Sequence, residues 1–526
     1  MLKIKLLALS LLLSTLLFSN GIHNSYFEHL SVKQGLSHYS VNSLYQDENG
    51  MVWIGTRDGL NRYDGNEITV FKQIPGDSTA LFGNNIRSVG GDKNGHLFML
   101  CKSGLVVFDL KTEIFKTIRR QDVSTLAYGR ENLWFTSSDT IYAYRPSVAS
   151  GLRTHLLMPG KSSRASSILE TSDRMLYVAT TTHGVLVYDK NGKNVKRWPV
   201  NDVICLYEDS KKNVWICTRY TGLYRIGFEG SLTAFQHNPA DPESIPDNFV
   251  RTICEDDFGN YWIGLYTGLC KLDTEKTKAK FSLYKYERQI THGISNASVW
   301  SIINDKQGTL WIGSYFGGID LFNPRYSIFN FYDAFSKTPW SLSNPVVGRI
   351  VSEKSGNLWI GTDGGGLNYL NRQTGKFSMY QADGSRNSIS VNTIKSLWVD
   401  EKRANLWIGT HMGGLNKLNL QTRKFTVFEH NPANPKSIPS NFVREIVHRN
   451  DTLYLATRNS IGVFDLKTET CTRIDFPSIE LSQRELPDLY IDSNDRMWFC
   501  FSNMAFQFNL KTRELLKIEL QNNVLF

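Results

Sequence analysis

No Cys-x-x-Cys and no His-Glu-x-x-His occurs in this chain, and its 11 histidines are scattered. Neither a zinc site nor a metallopeptidase centre has support, so no metal and no cofactor is expected. Dense runs of Lys and Arg are absent too. A net charge of +9, or +7 once Lys3 and Lys5 are set aside, is thin over 526 residues. Nothing here would track a phosphate backbone, and nucleic acid is not an expected partner. Beyond residue 22 no stretch is long and apolar enough to span a membrane, so the mature chain is expected to carry no transmembrane helix. A 3.6-residue apolar period is also missing, which argues against helical repeats.

The start of the chain does hold one apolar run. Lys3 and Lys5 precede Leu6–Phe18, and Ser19-Asn20-Gly21 offers small residues at a cleavage site. Residues 1–21 are expected to be a signal peptide, giving an exported, periplasmic protein. Seven cysteines are an odd number for that compartment. Cys205, Cys254 and Cys270 lie in apolar strand patterns, and Cys217 and Cys500 replace a glycine of the repeat described next. They read as small buried residues, with room for one disulfide.

What the chain has in abundance is a repeat. An aromatic residue opens a short strand at Trp53, Phe98, Trp134, Tyr177, Trp215, Trp262, Trp311, Trp359, Trp407, Tyr454 and Trp498, at spacings of 36 to 49 residues. An acid stands six positions earlier in most copies: Asp47, Asp92, Asp209, Asp256, Asp305, Glu353 and Asp492. A Gly-Leu pair opens the following strand, as in Gly59-Leu60, Gly222-Leu223 and Gly414-Leu415. The first unit reads as four strands, Val41–Asp47, Met51–Thr56, Gly59–Asp64 and Ile68–Lys72. Four short strands in some 40 to 50 residues is the pattern of a β-propeller blade.

The expected fold is therefore all-β. One complete seven-bladed propeller spans residues 22–325, and an incomplete second propeller of about four blades spans 326–526. Tyr26–Val32 is placed to close the seventh blade, as propellers often do with a strand from one end. The chain then stops without a closing strand, as a truncated gene or a partial sequence would.

Repeat tryptophans sit mid-strand on the same side as a glycine, so they are expected to wedge between blades. The repeat acid is expected to accept backbone N–H bonds in its turn, since Asp-x-x-Gly alone offers calcium too few oxygens. Variable residues fall elsewhere. With four antiparallel strands a to d per blade, the b–c turns and the d–a connections share one face. Binding groups are usually borne on such loops. The b–c turns hold Arg57 and Asp58, Lys102, Ser138, His183, Arg219 and Tyr220, Tyr266, Tyr315 and Phe316, then Asp363, His411 and Arg458. Aromatic faces and paired guanidinium hydrogen bonds suit a polyhydroxylated or acidic ligand. Singly, each is also an ordinary solvated turn residue.

Gly35-Leu36-Ser37, Val41-Asn42-Ser43, Asp47 to Thr56 and Gly59 to Gly65 resemble the opening of the two-component regulator propeller family. More narrowly, they resemble the periplasmic sensor region of hybrid two-component regulators, which are histidine kinases of glycan-utilising bacteria. The resemblance runs from about Tyr26 to the end of the chain. It implies two propellers, an oligosaccharide ligand, and further domains that include the kinase, with room for a homodimer in a full-length form. No kinase sequence is present, so no enzymatic activity is expected of this chain. Other classes considered are an exported glycosidase or lyase and a protein-interaction scaffold. Glycoside hydrolysis needs two placed carboxylates, whereas only Asp58 and Asp363 occupy b–c positions, in different rings.

Overall fold

The computed structural model describes residues 25–120, 122–145, 152–158, 164–273, 279–326, 330–335, 338–458, 460–474, 476, 488–501 and 504–519. The expected signal peptide lies outside them. The described residues form eleven four-stranded antiparallel sheets. Their only helical turns are two short 3-10 segments, Val32–Gln34 and Pro324–Tyr326. The first sheet runs Val41–Gln46, Val52–Thr56, Gly59–Tyr63 and Ile68–Phe71 in chain order. Each of these strands lies within one residue of its sequence expectation.

Contacts divide the chain between Phe331 and Tyr332. The first unit holds seven sheets whose innermost strands neighbour one another in sequence and return from the seventh to the first. The seventh sheet takes its outer strand from the start of the chain. Glu28, His29 and Leu30 lie opposite Leu321, Asp320 and Ile319. Phe27 is buried beside that strand, its ring 4.9 Å from that of Phe322. His29 Nδ1 bonds Asp320 Oδ1 at 2.8 Å, and Asp320 Oδ2 accepts the Ser295 N–H at 2.9 Å. A sheet edge is thus paired rather than left open.

The repeat residues do the packing. Trp53, Trp215, Trp262, Trp359 and Trp407 are all at most 1% exposed. Trp53 packs among Ile86, Val89, Leu97 and Met99 of the next sheet. Trp311 of the seventh sheet packs among Val41, Leu44 and Ile54 of the first, which carries the same contact across the seam. The glycine after Trp-Ile is there for the approach. A Cβ on Gly361 would meet Ile394 of the next inner strand at 2.5 Å. Gly414 opens its strand at φ 72, with the Phe428 carbonyl 2.3 Å from where a Cβ would stand. Only glycine combines that conformation with that closeness.

The repeat acid does more than hold its turn. Asp47 Oδ1 accepts the Asn49 and Met51 N–H groups, as expected, at 2.9 and 3.0 Å. Its Oδ2 also accepts the Trp53 indole N–H at 2.8 Å. The pair recurs at 2.8 Å in Trp215–Asp209, Trp262–Asp256 and Trp311–Asp305, and at 2.7 Å in Trp359–Glu353. The spacing of six residues is therefore a hydrogen bond that satisfies a buried indole. Trp407 breaks the pattern. Its turn places Ala404 at φ 50, Asp400 bonds Arg403, and the Trp407 indole nitrogen is buried with no partner.

The turns opposite the candidate face link neighbouring sheets. Ser172 N–H donates to Glu208 at 2.7 Å, Ser210 N–H to Glu255 at 2.8 Å, and Lys306 N–H to Gln46 at 2.8 Å. The last of these crosses the seam, where Lys306 Nζ also donates to the Asp47 and Glu48 carbonyls at 2.9 Å.

The second unit holds four sheets, beginning with Val347–Ser352, Leu358–Thr362, Leu367–Leu370 and Phe377–Tyr380. Their inner strands again neighbour one another in order. Arg349 on the first inner strand pairs with Glu445 on the third and reaches Asp488, just before the fourth sheet, at 3.2 Å. Two cysteines depart from expectation, and Cys205 is only half-buried. Cys500 is exposed, whereas Cys101, Cys217, Cys254, Cys270 and Cys471 are buried. Cys500 lies in the fourth sheet of this unit, where the described residues include no further sheet to cover it. All seven cysteines are free thiols, although Cys205 and Cys217 are direct cross-strand partners.

Candidate binding face

Each b–c turn is set by the strand before it. The threonine that ends Trp-Ile-Gly-Thr is fully buried, and its hydroxyl donates across the turn. Thr56 bonds the Gly59 carbonyl at 2.9 Å, Thr362 the Gly366 carbonyl at 2.8 Å and Thr410 the Gly414 carbonyl at 2.8 Å. The next residue is tied to the start of an inner strand. Arg219 N–H donates to the Asp202 carbonyl at 2.9 Å, Tyr266 N–H to Phe249 at 3.2 Å and Tyr315 N–H to Ser298 at 3.0 Å. These side chains therefore leave a rigid rim in fixed register.

In the seven-sheet unit, part of the expected set comes together. Tyr266 stacks on Phe249 with ring centres 5.6 Å apart. Tyr315 stacks on Trp300 at 5.1 Å and meets Phe316 edge-on at 4.3 Å. The Arg57 guanidinium carbon lies 4.7 Å from the Tyr315 ring centre and 5.8 Å from that of Trp300. Arg219 lies 5.8 Å from Phe249. Between them sits Arg251, 4.4 Å from Phe249, 4.9 Å from Trp300 and 5.6 Å from Tyr266. The result is a band of alternating guanidinium groups and rings across the fifth, sixth, seventh and first sheets. Cation–π contacts of this kind stabilise by about 0.5–2 kcal/mol, more as they lose water. The outer rings remain open: Tyr220 is 63%, Tyr266 55% and Phe316 53% exposed.

Phe249, Arg251 and Trp300 were missed by reasoning confined to the turns. All three flank the first buried valine of an inner strand, Val250 or Val299, where side-chain alternation turns every second residue off the core. The repeated Asn-Phe-Val-Arg at 248–251 and 441–444 was the available signal.

Other expected residues do not join the band. Asp58 is held by Lys72 at 2.5 Å and Asn84 at 3.0 Å, and the Lys72 hydrogen bond holds its carboxyl below the usual range. Asp363, His411 and Arg458 belong to the four-sheet unit and are exposed. Asp363 pairs with Lys395 at 3.2 Å, and His411 meets Phe442 edge-on at 4.9 Å. The d–a connections spend their polar groups on themselves. His237 bonds the Ile245 carbonyl at 2.9 Å and His430 the Ile438 carbonyl at 2.8 Å. Asn238 and Asn431 N–H donate to Ser244 and Ser437, each at 3.0 Å.

Among the described residues, no group of three or more His, Cys, Asp or Glu could hold a metal ion. No described helix is long and apolar enough to cross a membrane.

Four segments, residues 35–58, 198–220, 244–267 and 293–316, match the two-component regulator propeller model. Histidine kinase P4 of Formosa agariphila is 41% identical over 58 residues, which is 11% of this chain and 4% of that protein. Among solved structures, the extracellular domain of a putative hybrid two-component system from B. thetaiotaomicron aligns over 94% of this chain and 67% of its own. It does so with a TM-score of 0.70 and 23% identity. That likeness establishes the shared propeller fold.

Proposed function

Because this chain carries two-component regulator propeller repeats, we propose that it is the extracytoplasmic ligand-sensing region of a two-component signalling protein and binds an oligosaccharide. The observation that carries the reading is the band of Arg57, Arg219, Arg251, Tyr266, Trp300, Tyr315 and Phe316 on the b–c face. Exposed aromatic faces offer apolar area to a sugar ring, and guanidinium groups give paired hydrogen bonds to its oxygens. The rim is held by backbone bonds before any ligand arrives, which lowers the ordering cost of binding. The sheets beneath supply the scaffold. A periplasmic location and removal of residues 1–21 fit the same role.

Calorimetry of the chain against a panel of glycan fragments tests it. At least one fragment should bind, and Arg219→Ala with Tyr220→Ala should weaken it tenfold or more, since anchors in such patches commonly carry over about 1 kcal/mol each. Unchanged affinity in a double variant that melts normally would move the site off this face.

A further inference from the structure

Arg57, Arg219 and Arg251 are like charges crowded on one rim, and the acids nearest them do not answer for all three. Asp58 is occupied by Lys72 and Asn84. Asp247, which favours the charged form of Arg251, accepts the Phe249 N–H at 2.9 Å. Arg251 is half-buried between Phe249 and Trp300, and its Nε is buried without a hydrogen-bond partner. Burial, and then the charge of Arg219, hold its guanidinium below the ordinary pKa. An arginine so placed still keeps its proton. A buried donor without an acceptor is costly, and like charges in a partly dehydrated rim repel. An anion arriving from solution would relieve the repulsion. It would meet a planar fork of donors shaped for a carboxylate or a sulfate.

Resting on the reading that this face takes an oligosaccharide, we infer that the ligand is an anionic one, whose carboxylate or sulfate is received by Arg251 between Arg219 and Arg57. Its unsubstituted ring faces lie on Tyr266, Tyr315 and Phe316. The rings favour a sugar over an acidic peptide: three aromatic side chains stand exposed or half-exposed beside the cations, offering flat area that a flexible carboxylate chain would not fill. Arg251 carries the discrimination, because a formal negative charge set among three guanidinium groups is attracted where a neutral hydroxyl is not.

The test is calorimetry of the full chain against tetrasaccharides of galacturonate, of mannuronate and of sulfated galactan. Their carboxyl-reduced or desulfated counterparts and a Glu tetrapeptide complete the set. An anionic tetramer should bind at least tenfold more tightly than its neutral counterpart. Arg251→Met should erase that preference by weakening the anionic tetramers far more than the neutral ones, and Arg251→Lys should restore part of it. The uronate and sulfate arms tell which anion is read. Should Arg251→Met fold poorly by thermal melting, Arg219→Met serves in its place, with a larger loss for the anionic tetramers than for the neutral ones.

The inference is overturned by a neutral tetramer that binds as well as its anionic form. Equal losses for both forms in Arg251→Met, or a peptide that binds as tightly as the sugars, would do the same. Neutral binding that still depends on Arg219 and Tyr220 would leave the oligosaccharide reading standing and remove only the anionic one. Absence of binding across the whole set would remove both.

Discussion

Leu44 and Ile350 hold the same place on the first inner strand of their units, opposite Ile54 and Ile360 respectively. Yet Leu44 is 7% exposed and Ile350 is 55% exposed. Their neighbours repeat the contrast, with Val41 at 0% and Val347 at 40%. In the seven-sheet unit, the face of the first sheet is covered by Trp311 and Ile319 of the seventh. Among the described residues of the four-sheet unit no further sheet covers that face, and at the far end Tyr490 and Leu516 are 64% and 54% exposed. Identical strand grammar therefore gives opposite burial, because a blade buries one face only on its neighbour. Full burial of such a side chain stabilises by roughly 1.5–3 kcal/mol, which the open faces forgo.

The sharpest way to break this comparison is a charge on each of the two equivalent positions. Leu44→Asp should cost about 4 kcal/mol or more by placing a carboxylate in an apolar seam, whereas Ile350→Asp should stay within about 0.5 kcal/mol. Hydrogen exchange of the inner strands in each unit reads the two effects separately. Similar losses at both sites would show that Ile350 is covered in solution.

The aromatic wedges should follow. Trp311→Ala should cost about 3–5 kcal/mol through lost burial and a cavity between sheets. Trp498 is half-buried on the last sheet, and Trp498→Ala should cost less than half as much. A Trp311→Ala variant that melts within a degree or two of the parent would remove the inter-sheet assignment.

A smaller difference separates two buried indoles. Trp262 donates to Asp256 at 2.8 Å, while the Trp407 nitrogen has no partner. Trp262→Phe should therefore cost about 1–2 kcal/mol more than Trp407→Phe, the worth of a hydrogen bond to a charged acceptor. Equal costs in urea denaturation would mean that the indole bond contributes nothing.

The smallest effect concerns the strand that closes the ring. The hydrogen bond to Asp320 raises the His29 pKa above its usual value, against the opposing effect of burial. A raised pKa means that protonated His29 binds its proton more tightly in the folded state. Its contribution is complete below the unfolded value, about 6.5, and fades as pH rises through the folded value. The difference in melting temperature between the parent and His29→Ala should be larger at pH 5.5 than at pH 8.5. A difference that does not change with pH would leave the pair as a neutral hydrogen bond.

Much of this fold was legible because its unit is local. The strand Val52–Thr56 is bounded by a turn, an aromatic and a glycine, all within reach of one another in sequence, and its expected bounds, Met51–Thr56, lie within one residue of it. The seam was legible too, since an alternating segment at Tyr26–Val32 had few other uses. The candidate face was legible only in part. Arg57, Tyr266, Tyr315 and Phe316 are variable residues in turns that the repeat marks. Arg251 and Trp300 lie within strands, where a polar or aromatic residue reads as ordinary alternation. Asp58 carried no mark of the Lys72 that occupies it, 14 residues on.

By itself the sequence determined the blade: four strands, a buried Trp, the acid six residues before it, and the glycine that admits the next inner strand. Those are contacts within a repeat or with the nearest one, and their spacing writes them down. Tertiary structure alone decided which blade faces are covered, that the Trp407 indole goes unpaired, and which rim side chains meet. Each of those outcomes depends on residues brought together from separate repeats. Arg57 comes to lie 4.7 Å from Tyr315, 258 positions away, only because seven sheets return the chain to its start.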